Sequence, residues 1–386
     1  MSSTRPIPAP SSAPVSSGRQ APGPRVGVLG GGQLGRMLAL AGYPLGARFV
    51  FVDPSPSAPA GELAEQVVAD YGDVRVMDAL AGCDVVTYEF ESVPVAAAEA
   101  LAARTLVHPR PEALRVAQDR LEEKTCFRAL GIPTPEFAPV DDRKSLEAAV
   151  RELGLPAVLK TRRLGYDGKG QRVLRAAGDV GPAWDALGGV PLILERFIEF
   201  QRELSLLGVR GRSGETRFYP LVENHHRDGI LRVTWAPAPK LEPELSATAE
   251  RYSALLLERL DYVGVLALEL FDCRGQLYAN EMAPRVHNSG HFSIEGATTS
   301  QFENHLRAIL GLPLGATEVP LPCAMLNLVG ALPELGDALA LPGAHVHFYG
   351  KRPRDKRKVG HITLLAPDRD ALALRVNRAL ALPGAG

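Results

Sequence analysis

Residues 265–281 read VLALELFDCRGQLYANE, two apolar or alternating runs on either side of Cys273-Arg274-Gly275. Such runs joined by a short Gly-containing turn predict a β-hairpin. Its arms carry Glu269 on one side and Asn280-Glu281 on the other, and the turn brings those strand ends together. Two carboxylates and an amide oxygen at one point form a hard-oxygen set suited to Mg2+ bridging phosphates. An exposed cross-strand polar pair would leave the same pattern. The next residues, Met282-Ala283-Pro284-Arg285-Val286-His287-Asn288-Ser289-Gly290-His291, argue against a bland face because they crowd donors onto a loop. Arg285, His287, Asn288 and Ser289 suit a phosphorylated, hydroxyl-rich ligand. His287 and His291 have the spacing of a zinc-binding helix, but Ser289-Gly290 and the missing HExxH glutamate oppose that reading.

Upstream, Ala157-Val158-Leu159-Lys160 is an apolar strand ending in lysine, and Gly165-Tyr166-Asp167-Gly168-Lys169-Gly170 follows within a few residues. A lone strand-end lysine usually snorkels to solvent. Paired with a glycine loop whose amides can cover phosphates, it tilts toward a nucleotide. Glu195 ends the strand Leu192-Ile193-Leu194, and Glu203 lies beyond it. A strand edge can read an adenine and a carboxylate can hold ribose hydroxyls, although singly each is an ordinary surface group. A helix is expected from Pro111 to Leu130, capped by Gly131 and stopped by Pro133.

The N-terminal part alternates strands with helices: Val26-Gly27-Val28-Leu29, a helix from Gln33, Phe49-Val50-Phe51-Val52-Asp53, then Val85-Val86-Thr87-Tyr88-Glu89. That order implies a right-handed parallel sheet. Gly30-x-Gly32-x-x-Gly35 with Asp53 matches the dinucleotide fingerprint, so an NAD-dependent oxidoreductase is a second hypothesis. It leaves Lys160, the glycine loop and the Glu269/Glu281 pair unexplained. A nucleotide-binding regulator without turnover is a third, opposed by the intact lysine and carboxylates. The basic run Lys351 to Lys358 is either a solvated face or a phosphate clamp.

Composition narrows the partners. With 43 basic against 44 acidic residues, charge gives no reason to expect nucleic acid or an anionic membrane. The 4 cysteines are scattered, which points to free thiols in a reducing cytoplasm. No apolar stretch is long enough to span a bilayer. The Pro- and Ser-rich start lacks an apolar signal core and reads as a disordered extension.

Several motifs together resemble the N5-carboxyaminoimidazole ribonucleotide synthetase family of ATP-grasp carboxylases. They are Gly31-Gly32-Gln33-Leu34-Gly35-Arg36-Met37, Thr87-Tyr88-Glu89-Phe90-Glu91, Gly165 to Gln171, Asn280 to His291, and Arg357-Lys358-Val359-Gly360-His361. The resemblance implies an ATP-grasp fold, mixed α/β and α+β. It divides the chain into a tail (1–24), a Rossmann-like parallel-sheet domain (25–112), the ATP-grasp domain (113–312) and a small β-rich C-terminal domain (313–386). It implies ATP and Mg2+ as cofactors and aminoimidazole ribonucleotide and bicarbonate as substrates. It also implies a homodimer and functional coupling to a downstream mutase. An ATP-grasp ligase with another acceptor is the nearest alternative.

Carried over by position, the resemblance assigns ATP phosphates to Arg120 and Lys160, covered by Gly165, Tyr166, Asp167, Gly168, Lys169, Gly170 and Gln171. Adenine falls to Glu195, Arg196, Phe197 and Ile198, ribose to Glu203, with His226 beside the nucleotide. Glu269 and Glu281 hold the metal, next to Asn280. Tyr166, Lys169, Arg285, His287, Asn288, Ser289, Lys351 and Arg357 line the ribonucleotide site, bordered by Gly32 and Gln33. Family members often have Arg where this chain has Lys169, which keeps charge but not the planar fork. Asp167 is the candidate general base and His287 the second.

Overall fold

A computed structural model describes residues 23–165 and 170–386. Residues 1–22, most of the expected tail, and 166–169 lie outside it. Among the described residues there are three sheets. The N-terminal sheet contains Arg25–Leu29, Arg48–Val52, Glu65–Val67 and Val85–Tyr88, all parallel as the strand–helix alternation implied. A four-stranded antiparallel sheet contains Phe137–Val140, Ala157–Thr161, Gln171–Leu174 and Leu192–Arg196.

The third sheet has nine antiparallel strands and is the backbone of the molecule. Gly264–Cys273 and Gln276–Ala283 form the expected hairpin at its edge, with Arg274 and Gly275 both at positive φ in the turn. At the other end Ile230–Ala236 pairs with Cys323–Val329, which pairs with Lys358–Leu365. The C-terminal strands therefore extend the central sheet instead of closing one of their own. Helices Leu335–Leu339 and Arg369–Ala379 pack beside them, so the segment is not all-β.

One expected element is broken. Pro111–Ala117 and Arg120–Ala129 are separate helices. Asp119 between them is extended (φ −123°, ψ 110°) and its carboxylate accepts from the Leu121 amide, an N-cap. The same carboxylate takes Arg162 and Arg163. The break puts Arg120 on the first turn of the second helix, facing the cleft.

The N-terminal sheet docks through its first helix, Gln33–Gly42, whose Leu34, Met37 and Leu38 share a core with Phe302, Leu306 and Ile309 of Gln301–Leu310. Buried His305 fastens the joint. Its Nδ1 accepts from the Val265 amide (3.1 Å), so its proton sits on Nε2 and is donated to Thr87 Oγ1 (2.9 Å). Burial holds this imidazole neutral, with its pKa lowered to about 3. No helix among the described residues is long and apolar enough to cross a membrane.

Candidate active site

A cleft of about 1090 Å³ opens where the three sheets meet. Pockets for a single small ligand typically span roughly 300–1,000 Å³. This one has room for a nucleotide and a second substrate.

Its floor is the hairpin. Glu269 and Glu281 are direct cross-strand partners. The next pair is Leu270 with Ala279, so Asn280 is the extra residue of a β-bulge. Burial, then the Glu281 charge, pushes the Glu269 carboxyl well above the usual range. Arg120 offsets Glu281 from the side (2.9 Å). A cation between the two carboxylates would relieve this unfavourable ionisation. No group of three or more His, Cys, Asp or Glu forms a ready cage among the described residues. Mg2+ fits such a place, because it usually takes one or two carboxylates and completes its shell with phosphate and water.

One wall comes from the small sheet. Lys160 Nζ donates to Glu195 Oε2 (3.0 Å), and Lys124 Nζ lies 3.4 Å from the same oxygen. Burial alone would raise the Glu195 pKa, but Lys124, Lys160 and Arg120 outweigh it and lower it to about 2. The Glu195 side chain is thus turned to the lysines at the end of its strand. Arg196, Phe197 and Ile198 line the cleft there, as do Gly165 and Gln171. Across from them His226 Nδ1 sits 2.8 Å from Glu203 Oε2. Burial disfavours charge on His226, but Glu203 outweighs it and raises its pKa.

The glycine turn is already filled. The Gly32 and Gly35 amides donate to the Glu89 carboxylate (2.5 and 2.7 Å), and the Gly31 amide donates to Asp53 (2.9 Å). A Cβ on Gly30 would lie 2.4 Å from Glu89 Cγ, and one on Gly32 would lie 2.5 Å from its Oε1. These glycines admit a protein carboxylate where a dinucleotide would place its pyrophosphate. The NAD reading fails on that occupancy.

On the remaining side Arg285 forms a short ion pair with Glu91, and this outweighs burial to hold Glu91 at about 2. Lys351 donates to Gln33, and burial lowers its pKa to about 8. His287 Nδ1 accepts from Ser289, leaving Nε2–H directed at Glu269 Oε1 (3.2 Å). Burial, then Arg285, lowers its pKa to about 3. His287 is thus set as a neutral donor, which argues against it as the base. Ser289 is fully buried under His287 and does not face the cleft. Asn288 lines the cleft but exchanges two hydrogen bonds with Asn327. In the basic run Lys358 lines the cleft, whereas Arg357 donates to the Arg352 carbonyl.

Tyr166, Asp167, Gly168 and Lys169 lie outside the described residues. Glu123, Lys124 and Asn327 lie outside every motif of the sequence, whereas Glu89 stands in a motif that assigns it no role and Lys358 only in the basic run. The one signal available was polarity inside apolar context, as with Asn327 in the strand CAMLNLV.

Three family descriptions match the chain: a ribonucleotide synthetase preATP-grasp domain over residues 24–118, an ATP-grasp domain over 125–302, and a phosphoribosylaminoimidazole carboxylase C-terminal domain over 323–375. The N5-carboxyaminoimidazole ribonucleotide synthase of Pseudomonas aeruginosa is 55% identical over 93% of this chain and 99% of its own length. The structure of the Thermus thermophilus synthetase superposes with a TM-score of 0.90 at 55% identity, covering 93% of this chain and 98% of that one. The Aspergillus clavatus synthase, solved with ADP and 5-aminoimidazole ribonucleotide, gives 0.86 at 32% identity, with 92% and 97% covered.

Proposed function

The chain belongs to the family of N5-carboxyaminoimidazole ribonucleotide synthases, and from that premise we propose how its cleft divides the work. The enzyme carries out the ATP-dependent carboxylation of 5-aminoimidazole ribonucleotide to N5-carboxyaminoimidazole ribonucleotide in purine biosynthesis. The observation that carries the assignment of roles is the Glu269/Glu281 pair set opposite each other beside the Lys160–Glu195 wall.

Bicarbonate supplies the carboxyl group. Its carbon is a poor electrophile until one oxygen is phosphorylated. A bicarbonate oxygen attacks the γ-phosphorus, the bond to the β-bridging oxygen breaks, and ADP leaves. The aminoimidazole nitrogen then attacks the carboxyl carbon of carboxyphosphate. The bond to phosphate breaks, phosphate leaves, and the amine proton passes to a base.

The protein's part is positioning and charge neutralisation. Lys160 and Arg120 face the phosphates, and Glu195 fixes Lys160. Adenine lies against Arg196 to Ile198 and ribose against Glu203 and His226. Glu269 and Glu281 would hold Mg2+, which when bound would supply charge neutralisation on the transferring phosphoryl group. Arg285, locked by Glu91, orients the ribonucleotide together with Lys351, Lys358, Asn288, Tyr166 and Lys169. His287 keeps its Nε2 proton on Glu269, and Asp167 takes the amine proton. Family resemblance carries the homodimer, the cytoplasmic setting and delivery of product to a downstream mutase.

Bicarbonate labelled with 18O tests the route. Phosphate released during turnover is expected to carry one 18O atom per product formed. Unlabelled phosphate would overturn the carboxyphosphate step.

A further inference from the structure

The helix Arg120–Ala129 grips the hairpin strand at four consecutive residues, Ala279 to Met282. Lys124 Nζ, fully buried, donates to the Asn280 carbonyl (2.8 Å) and the Ala279 carbonyl (3.3 Å). Glu123 Oε1 accepts from the Met282 amide (2.6 Å). Arg120 holds the Glu281 carboxylate itself (2.9 Å). The backbone just before and just after Glu281 is therefore held by neighbouring residues of one helix.

That placement coincides with the bulge. Strand side chains alternate faces, so one extra residue decides which residue looks into the cleft. With Asn280 as the extra residue, Glu281 lies opposite Glu269. Without it, Asn280 would stand opposite Glu269 and Glu281 would turn to the other face. The hairpin strand Gln276–Ala283 is at the sheet edge, so its outward carbonyls and amides have no further strand to pair with. Lys124 and Glu123 satisfy them at the bulge.

We infer that Glu123 and Lys124 are positioning residues that fix the Asn280 bulge and so present Glu281 to the metal. The inference rests on the reading of Glu269 and Glu281 as the metal pair. Outer partners of metal ligands commonly change affinity by about 10–100-fold.

The test is Mn2+ binding to the full-length protein saturated with ADP, read from loss of the free-Mn2+ EPR signal. Glu123→Leu removes the acceptor for Met282, whereas Glu123→Gln keeps an oxygen there. Lys124→Met removes the donor to the bulge. Glu123→Leu and Lys124→Met are expected to weaken Mn2+ at least about tenfold, and Glu123→Leu to leave metal-free ADP affinity within about twofold of wild type. Glu123→Gln is expected to stay within about twofold. In a Glu281→Ala background Glu123→Leu should add nothing, because the ligand it positions is gone. Since Lys124→Met leaves Glu195 with one fewer partner and can fail to fold, the Leu/Gln contrast at 123 decides the matter. Wild-type Mn2+ affinity in Glu123→Leu, or equal loss in Glu123→Gln, would overturn the clamp. Failure of the wild type itself to bind Mn2+ would instead overturn the metal reading beneath it.

Discussion

Glu89 occupies the anion site that Gly32 helps to form: its carboxylate accepts from the Gly32 amide at 2.5 Å and the Gly35 amide at 2.7 Å. A strand, a glycine turn and a helix N-terminus usually advertise space for a phosphate. Here the charge that fills the space is covalently part of the chain, delivered by the end of Val85–Tyr88. Burial raises the Glu89 pKa, and the amides and Lys351 act against it.

Glu89→Ala would strand those buried amides. Each unpaired buried donor costs about 1–3 kcal/mol, so a loss of about 3 kcal/mol in urea unfolding is expected. Calorimetric titration of the wild type with NAD should show no binding. Micromolar NAD binding would contradict the filled-site account.

His305 makes stability depend on acidity. Its pKa is lowered from 6.5 to about 3 in the fold, so between those values the unfolded chain binds the extra proton. Its contribution is present above about pH 6.5 and fades as pH falls, at up to about 1.4 kcal/mol per unit. Glu91 and Glu195, held near 2, add a second loss as pH falls below their unfolded value of 4.5. His305→Gln, which can still donate to Thr87 and accept from Val265, should flatten the denaturation midpoint between pH 6.5 and 5. An unchanged slope would remove His305 from this role.

Lys160→Met should abolish most turnover without unfolding the protein. Lys124 remains to pair with Glu195, so no buried carboxylate is left alone. Lost stabilisation of the transferring phosphoryl group is expected to lower kcat by about 100-fold or more. Near-normal kcat would show that Lys160 serves Glu195 and not the phosphates.

Asp167→Asn and His287→Asn separate the two base assignments. Loss of a general base typically costs 10²–10⁴ in rate. The Asp167 variant is expected to fall by about 100-fold or more in kcat with ADP affinity intact. His287→Asn should act through weaker metal affinity, since His287 donates to Glu269 rather than waiting for a proton. Near-normal turnover by Asp167→Asn would remove Asp167 as the base.

The legible parts of the molecule were those written in local pattern. The hairpin around Arg274-Gly275, the parallel sheet and the Lys160 strand each follow from periodicity and turn chemistry. The break at Asp119 was hidden because a helical pattern runs through it; two distant arginines, Arg162 and Arg163, reward the capped conformation. The bulge at Asn280 was hidden because it depends on Lys124 and Glu123, far away in sequence. The fingerprint at Gly30–Gly35 leaves its own meaning open for the same reason: its occupant comes from a strand more than fifty residues on. Ser289 and Arg357 show the limit of motif position, since adjacency to a site residue does not decide which way a side chain faces.

The most direct measurement is phosphate release from MgATP and bicarbonate with and without 5-aminoimidazole ribonucleotide. The account predicts release that depends strongly on the ribonucleotide, matched by an equal amount of acid-labile carbamate. Release at the same rate without the ribonucleotide, or phosphate formed with no carbamate, would contradict it.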